Sequence, residues 1–124
     1  MDAKLRHFVR QRAQNLCEYC RMRQAQEPLP FHIEHVIPRK HGGKDVAENL
    51  ALACHHCNLH KGTNLSGFDP KTGKMSRLFH PRLDDWNEHF TNDHGEISGC
   101  SVIGRTTVNL LRMNMDGRLQ LRES

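Results

Sequence analysis

Apolar residues open the chain at helical spacing: Leu5, Phe8, Val9, Ala13 and Leu16 recur every three or four positions. With Asp2 as its N-cap, residues 3–15 read as an amphipathic helix whose outer face carries Lys4, Arg6, Arg10 and Arg12. The pattern changes at His32 to Pro38, "HIEHVIP", where polar and apolar residues alternate as in a half-buried strand. His32 and Glu34 fall on its polar side, while His35 interrupts an apolar side of Ile33, Val36 and Ile37. A loop with Gly42-Gly43 at its turn comes next, and "LALAC" reads as a second strand. "HHCNLHKG" then reads as a short helix stopped at Gly62.

Past Gly62 the pattern predicts a hairpin about Asp-Pro-Lys-Thr-Gly and a second pair of short strands, within "WNEHFTNDHGEISG", about Asp93 to Gly95. Ser101 is placed to cap a final helix with an apolar stripe of Ile103, Val108, Leu110, Leu111 and Met113. "DGRLQLRES" is expected to be a frayed tail or a short added turn. Trp86, Phe79 and Phe90 are expected in the core of the carboxy-terminal strands rather than as a platform for stacked bases. The order of elements defines an α+β fold, and 124 residues suit one domain with one core.

Composition alters this picture at one point. Only 36% of the residues are hydrophobic, and the mean hydropathy is −0.73. Burial alone would leave such a domain marginal, so a covalent or metal staple is expected. The cysteines offer one. Cys17-x-x-Cys20 and Cys54-x-x-Cys57 are two chelating knuckles, and the strand, the Gly-Gly loop and the second strand all lie between them. No apolar leader and no membrane-length span are visible, so a cytoplasmic location is expected, where paired cysteines hold metal more often than they form disulfides. Structural zinc is the preferred reading, with a redox or disulfide pair as the alternative. Cys100 has no partner. A net charge of +4 and a pI near 9.0 favour a polyanionic partner, although a generic basic protein has the same balance.

The segment "HIEHVIPRKHGGKDVAENLALACHHCNLHKG" resembles the HNH nuclease motif in its zinc-knuckle version, over roughly residues 17–62. Residues 63–124 would be a carboxy-terminal extension of the same domain, similar to the segment after the motif in small bacterial HNH proteins. The resemblance implies a ββα-metal fold gripping one divalent cation beside the scissile phosphate. It implies His35 as general base, Glu34 and Asn58 as ligands of a catalytic Mg2+, Mn2+ or Ni2+, and Asn49 as the residue that braces the loop and orients His35. Cys17, Cys20, Cys54 and Cys57 would hold Zn2+. Lys61 would sit near the phosphates, and Arg39, Lys40 and Lys44, with the first helix, would form a basic surface for DNA.

The residue types also fit the chemistry without the name. Phosphodiester hydrolysis needs a base near neutral pH, which histidine supplies, and a hard cation held by oxygen ligands. The expected function is therefore metal-dependent cleavage of DNA with little sequence preference; a monomer is favoured, with the oligomeric state left open. A catalytically silent, zinc-stabilised module that binds DNA or protein is the alternative.

Overall fold

A computed structural model describes residues 1–124. The first helix, α1 (Ala3–Arg12), begins as expected, with the Asp2 carboxylate accepting the Leu5 N–H at 2.8 Å. It ends earlier than its apolar spacing indicated, because Gln14 and Asn15 both adopt left-handed backbone (φ 55° and 57°) and turn the chain into the first knuckle. Val9 and Ala13 face the core, but Phe8 lies exposed beneath the Arg12 guanidinium. Two of the four basic residues on this helix are turned inward. Arg10 donates to Phe31 O, and Arg12 donates to Ala47 O and Leu50 O, so α1 is riveted to the two strands of the central hairpin.

That hairpin is β1 (His32–His35) paired antiparallel with β2 (Leu50–Ala53), Glu34 lying opposite Ala51 and His35 opposite Leu50. All four residues of β2 are buried, as a short unbroken apolar run predicts. The first knuckle flanks β2 on its other edge: Glu18 N donates to Leu52 O, and a Glu18 carboxylate oxygen accepts Leu52 N. The helix α2 (His55–Lys61) comes at once, N-capped by the Cys54 sulfur, and packs on both strands. This is the ββα unit.

The remaining elements wrap it. β3 (Ser66–Phe68) and β4 (Met75–Arg77) form the first expected hairpin, and β5 (Phe90–Asp93) and β6 (Glu96–Gly99) the second. Part of the segment expected as strand, Trp86 to His89, is instead a single helical turn, α3 (Trp86–His89), capped by Asp85. The helix α4 (Val102–Leu111) starts at the predicted cap, with Ser101 accepting Gly104 N. Its buried face differs from the apolar stripe. Thr106 and Thr107 are fully buried beside Leu111, whereas Ile103, Val108 and Leu110 are only partly covered. The threonines tolerate burial because each hydroxyl donates to the carbonyl four residues back, and Thr107 also accepts Phe79 N.

The expected frayed tail is a docked helix, α5 (Arg118–Glu123). Arg122 is buried and donates to Gly95 O, Met113 O and Asn114 Oδ1. One cluster of core residues runs from Val9 through the knuckles and β2 to Phe79, Trp86, Phe90 and Met113. Trp86 belongs to it as expected, its indole N–H donating to Tyr19 O at 2.8 Å.

Candidate active site

The four cysteine sulfurs lie within 4.8 Å of one another, all four residues are buried, and none is in a disulfide. Cys20 and Cys54 sulfurs are 3.7 Å apart, close to the edge of about 3.8 Å of a tetrahedron built on metal–sulfur bonds of about 2.3 Å. Each knuckle adds a backbone N–H aimed at sulfur, Cys20 N to Cys17 and Cys57 N to Cys54. Arg118, from α5, donates to Cys54 Sγ at 3.3 Å and to Glu27 at 2.8 Å. Four thiolates on a divalent ion carry a net negative charge, which a guanidinium at this distance offsets. These residues form a four-cysteine metal site whose donor set suits zinc.

Beside it, the end of β1 and the side of α2 enclose a pocket of about 310 Å3, lined by Glu34, His35, Pro38, Arg39, Lys40 and Asn58 among others. The structure thus brings together the predicted base and both predicted cation ligands. The strand presents them in a different sense from its alternation pattern. Glu34 is the buried residue of β1, while His32 is exposed and His35 is partly exposed. The reason lies below Glu34: Lys61 Nζ is 2.7 Å from its Oε1, and the Tyr19 hydroxyl neighbours it.

Burial drives the Glu34 carboxyl upward in pKa, and Lys61 and Tyr19 partly counter that. Neither carboxylate oxygen has the alignment of a hydrogen bond, since Lys61 directs its bond to Val36 O at 2.9 Å. Glu34 lines the pocket that also holds the Asn58 amide, with its carboxylate oxygens buried against Lys61 and Tyr19; a carboxylate and an amide oxygen are donors of the kind a hard cation takes.

The expectation for Lys61 itself is corrected. It is buried at 2% exposure and reaches into the protein, so it does not face the phosphates. A four-carbon stem at the last turn of a short helix packed on β1 can be directed inward as readily as outward, and the buried carboxylate decides the direction.

Asn49 braces the loop as expected. Its Oδ1 accepts Ile37 N, and its Nδ2 donates to Ile37 O and Lys44 O, tying both ends of the Gly-Gly loop together. Gly43 is required here, because a Cβ would lie 1.6 Å from Ile37 O. The ring of His35, however, is held by Asp45 rather than Asn49: Nε2 is 2.6 Å from Asp45 Oδ1. Arg39 clamps the same carboxylate through both its oxygens, at 2.8 to 3.1 Å. Hydrogen bonds from His35 and then Arg39 hold the Asp45 carboxyl below its usual pKa. Arg39 therefore reaches the pocket already engaged, whereas Lys40 and Lys44 are exposed.

Sequence reasoning missed Asp45, Tyr19 and Arg118. Asp45 lies just after the Gly-Gly turn and was legible only as a loop acid, while the other two act across distances in sequence that no local pattern reports.

Residues 17–64, which carry both knuckles and the pocket, match the family model described as HNH endonuclease. This segment is of HNH type, as the motif resemblance implied. The chain is also similar to the Septu protein PtuB of Bacillus thuringiensis, with 30% identity over 107 residues, 85% of this chain and 39% of that protein. The chain thus spans well under half the length of that relative. No solved structure matches it.

Proposed function

We propose that the chain is a metal-dependent endonuclease that hydrolyses phosphodiester bonds of DNA with little sequence preference. The observation that carries this reading is that Glu34, His35 and Asn58 line one pocket within the same segment that carries the four cysteines. Glu34 and Asn58 are the residues to hold a divalent cation such as Mg2+, Mn2+ or Ni2+. When bound, such a cation supplies charge neutralisation at the departing 3′ oxygen. His35 takes a proton from the attacking water. Asn49 keeps the end of β1 and the Gly-Gly loop in a fixed relation, and Zn2+ on the four cysteines would tie the first knuckle to the junction of β2 and α2.

Lys40 and Lys44 lie exposed near the pocket and suit phosphates flanking the scissile one. A second cleft of about 580 Å3, lined by Arg6, Arg10, Phe31 and His32, shares Ile33 with the active pocket, so basic residues of α1 extend the same surface. No helix of the chain is long and apolar enough to cross a membrane.

One observation favours a second reading, a silent nucleic-acid-binding module: the Lys61 ammonium already neutralises one oxygen of Glu34. Plasmid cleavage with added magnesium, manganese or nickel separates the two. The parent is expected to nick the plasmid and His35→Ala, at equal zinc content, is expected to lose activity by at least about a hundredfold. Equal cutting by both removes His35 as base. No cutting by the parent under any of the three metals favours the silent module.

A further inference from the structure

The nitrogen of His35 that meets Asp45 cannot also meet water. Asp45 accepts Arg39 Nε and NH2 on Oδ1 and NH2 again on Oδ2, so its carboxylate is fixed in place and acts as an acceptor only. The proton in the 2.6 Å contact therefore belongs to His35 Nε2. In a neutral imidazole the lone pair must then sit on Nδ1, which has no protein partner and is not among the buried unpaired atoms. The backbone leaves little freedom to this pairing. Asn49 grips the carbonyl of Lys44, the residue before Asp45, and both polar groups of Ile37, two residues after His35.

We propose that Asp45 is the positioning residue of the site: it fixes the His35 ring with its proton on Nε2 and presents Nδ1 as the basic nitrogen. Arg39 holds Asp45 in turn, which gives that arginine a role inside the site besides any contact with DNA. This inference rests on the hydrolysis proposed above. In that reaction the water oxygen forms the new bond to phosphorus, its proton passes to Nδ1, and the bond from phosphorus to the 3′ oxygen breaks with its electron pair leaving on that oxygen. The imidazolium so formed keeps its Nε2 proton against a carboxylate, as an acid–histidine pair in other hydrolytic sites does.

Two readouts test the assignment. The first needs no activity: nitrogen-15 NMR of the zinc-loaded protein near pH 8, with the His35 signals identified by their loss in His35→Ala. The expected pattern in the parent is a protonated Nε2 and a bare Nδ1, and Asp45→Ala is expected to lose that fixed tautomer. A parent ring protonated on Nδ1 overturns the proposal. The second is the kinetic split on a plasmid or oligonucleotide substrate. Asp45→Ala is expected to lower kcat at least about tenfold with KM little changed, and Asp45→Glu to restore part of it. Cutting by Asp45→Ala as fast as the parent, or faster, overturns the proposal, since the carboxylate would then be idle or an obstruction. A loss confined to KM overturns it too. If the parent itself does not cut but its ring carries the proton on Nε2, the hydrolytic reading fails while the tautomer assignment stands. Zinc content and circular dichroism of each variant separate these outcomes from misfolding.

Discussion

A lysine at 2% exposure must bring a partner with it, and Lys61 brings Glu34. The Tyr19 hydroxyl also neighbours the carboxylate, which is therefore under opposing influences. Burial favours its protonated form, and the ammonium 2.7 Å away favours the ionised form that a cation needs. Removing only the ammonium leaves a buried acid without its counter-charge. Lys61→Met is accordingly expected to destabilise the protein by about 3–5 kcal/mol, and the double variant Lys61→Met/Glu34→Gln to recover part of that loss. Urea unfolding of the two variants, at constant zinc and without other divalent ions, measures both. If Lys61→Met is as stable as the parent, the pair is not a structural strut. That Glu34 belongs with His35 and Asn58 at one pocket was legible from its motif. Its burial was not, because strand alternation assigns a face by polarity and takes no account of an ammonium approaching from another element.

Among the elements, the two carboxy-terminal helices show how polar residues enter a core. α4 buries two threonines whose hydroxyls are satisfied within their own helix, so its inner face does not coincide with its apolar stripe. α5 packs Leu121 against the core and is anchored by two arginines, Arg118 and Arg122. Arg122 collects two carbonyls and the Asn114 side chain, which in turn pairs with both backbone groups of Ile97 on β6. Arg122→Ala takes the guanidinium donor from the carbonyls of Gly95 and Met113, and a loss of about 2–3 kcal/mol is expected, read as a lower urea midpoint. Rapid hydrogen exchange across residues 118–123 in the parent would contradict the docked helix. The amphipathic pattern of Arg118–Glu123 is too short to announce this docking, since its partners are backbone carbonyls and side chains of other segments, which no local pattern reports.

At the scale of the molecule, the four-cysteine site and the tail are one system. The two knuckles hold the chain at residues 17–20 and 54–57, and Arg118, far along the chain, donates to the Cys54 sulfur. Cys54→Ser is expected to lose zinc and with it on the order of 10 kcal/mol of folding free energy, leaving the chain unfolded at room temperature. Metal analysis and melting curves check both parts. Arg118→Met is expected to be milder, folding normally but binding zinc about 10- to 100-fold more weakly in competition with a chelator. An unchanged zinc affinity would reduce Arg118 to a surface ion pair with Glu27.

The sequence by itself determined the ββα order, both knuckles, the carboxy-terminal hairpins and the cap of α4. Each of these depends on residues close together in the chain, through hydrogen-bond caps, alternation, turn chemistry and chelate spacing. It also marked His35, Glu34, Asn49 and Asn58, since their types and spacing form one motif. Only the tertiary structure decided that Lys61 points inward, that Arg10 and Arg12 rivet α1 to the hairpin, that the tail docks on the four-cysteine site, and that Asp45 holds the His35 ring. In each case a charged side chain is oriented by a partner supplied from elsewhere in the fold, and the free energy of a buried or clamped charge depends on that partner more than on its own neighbours in sequence.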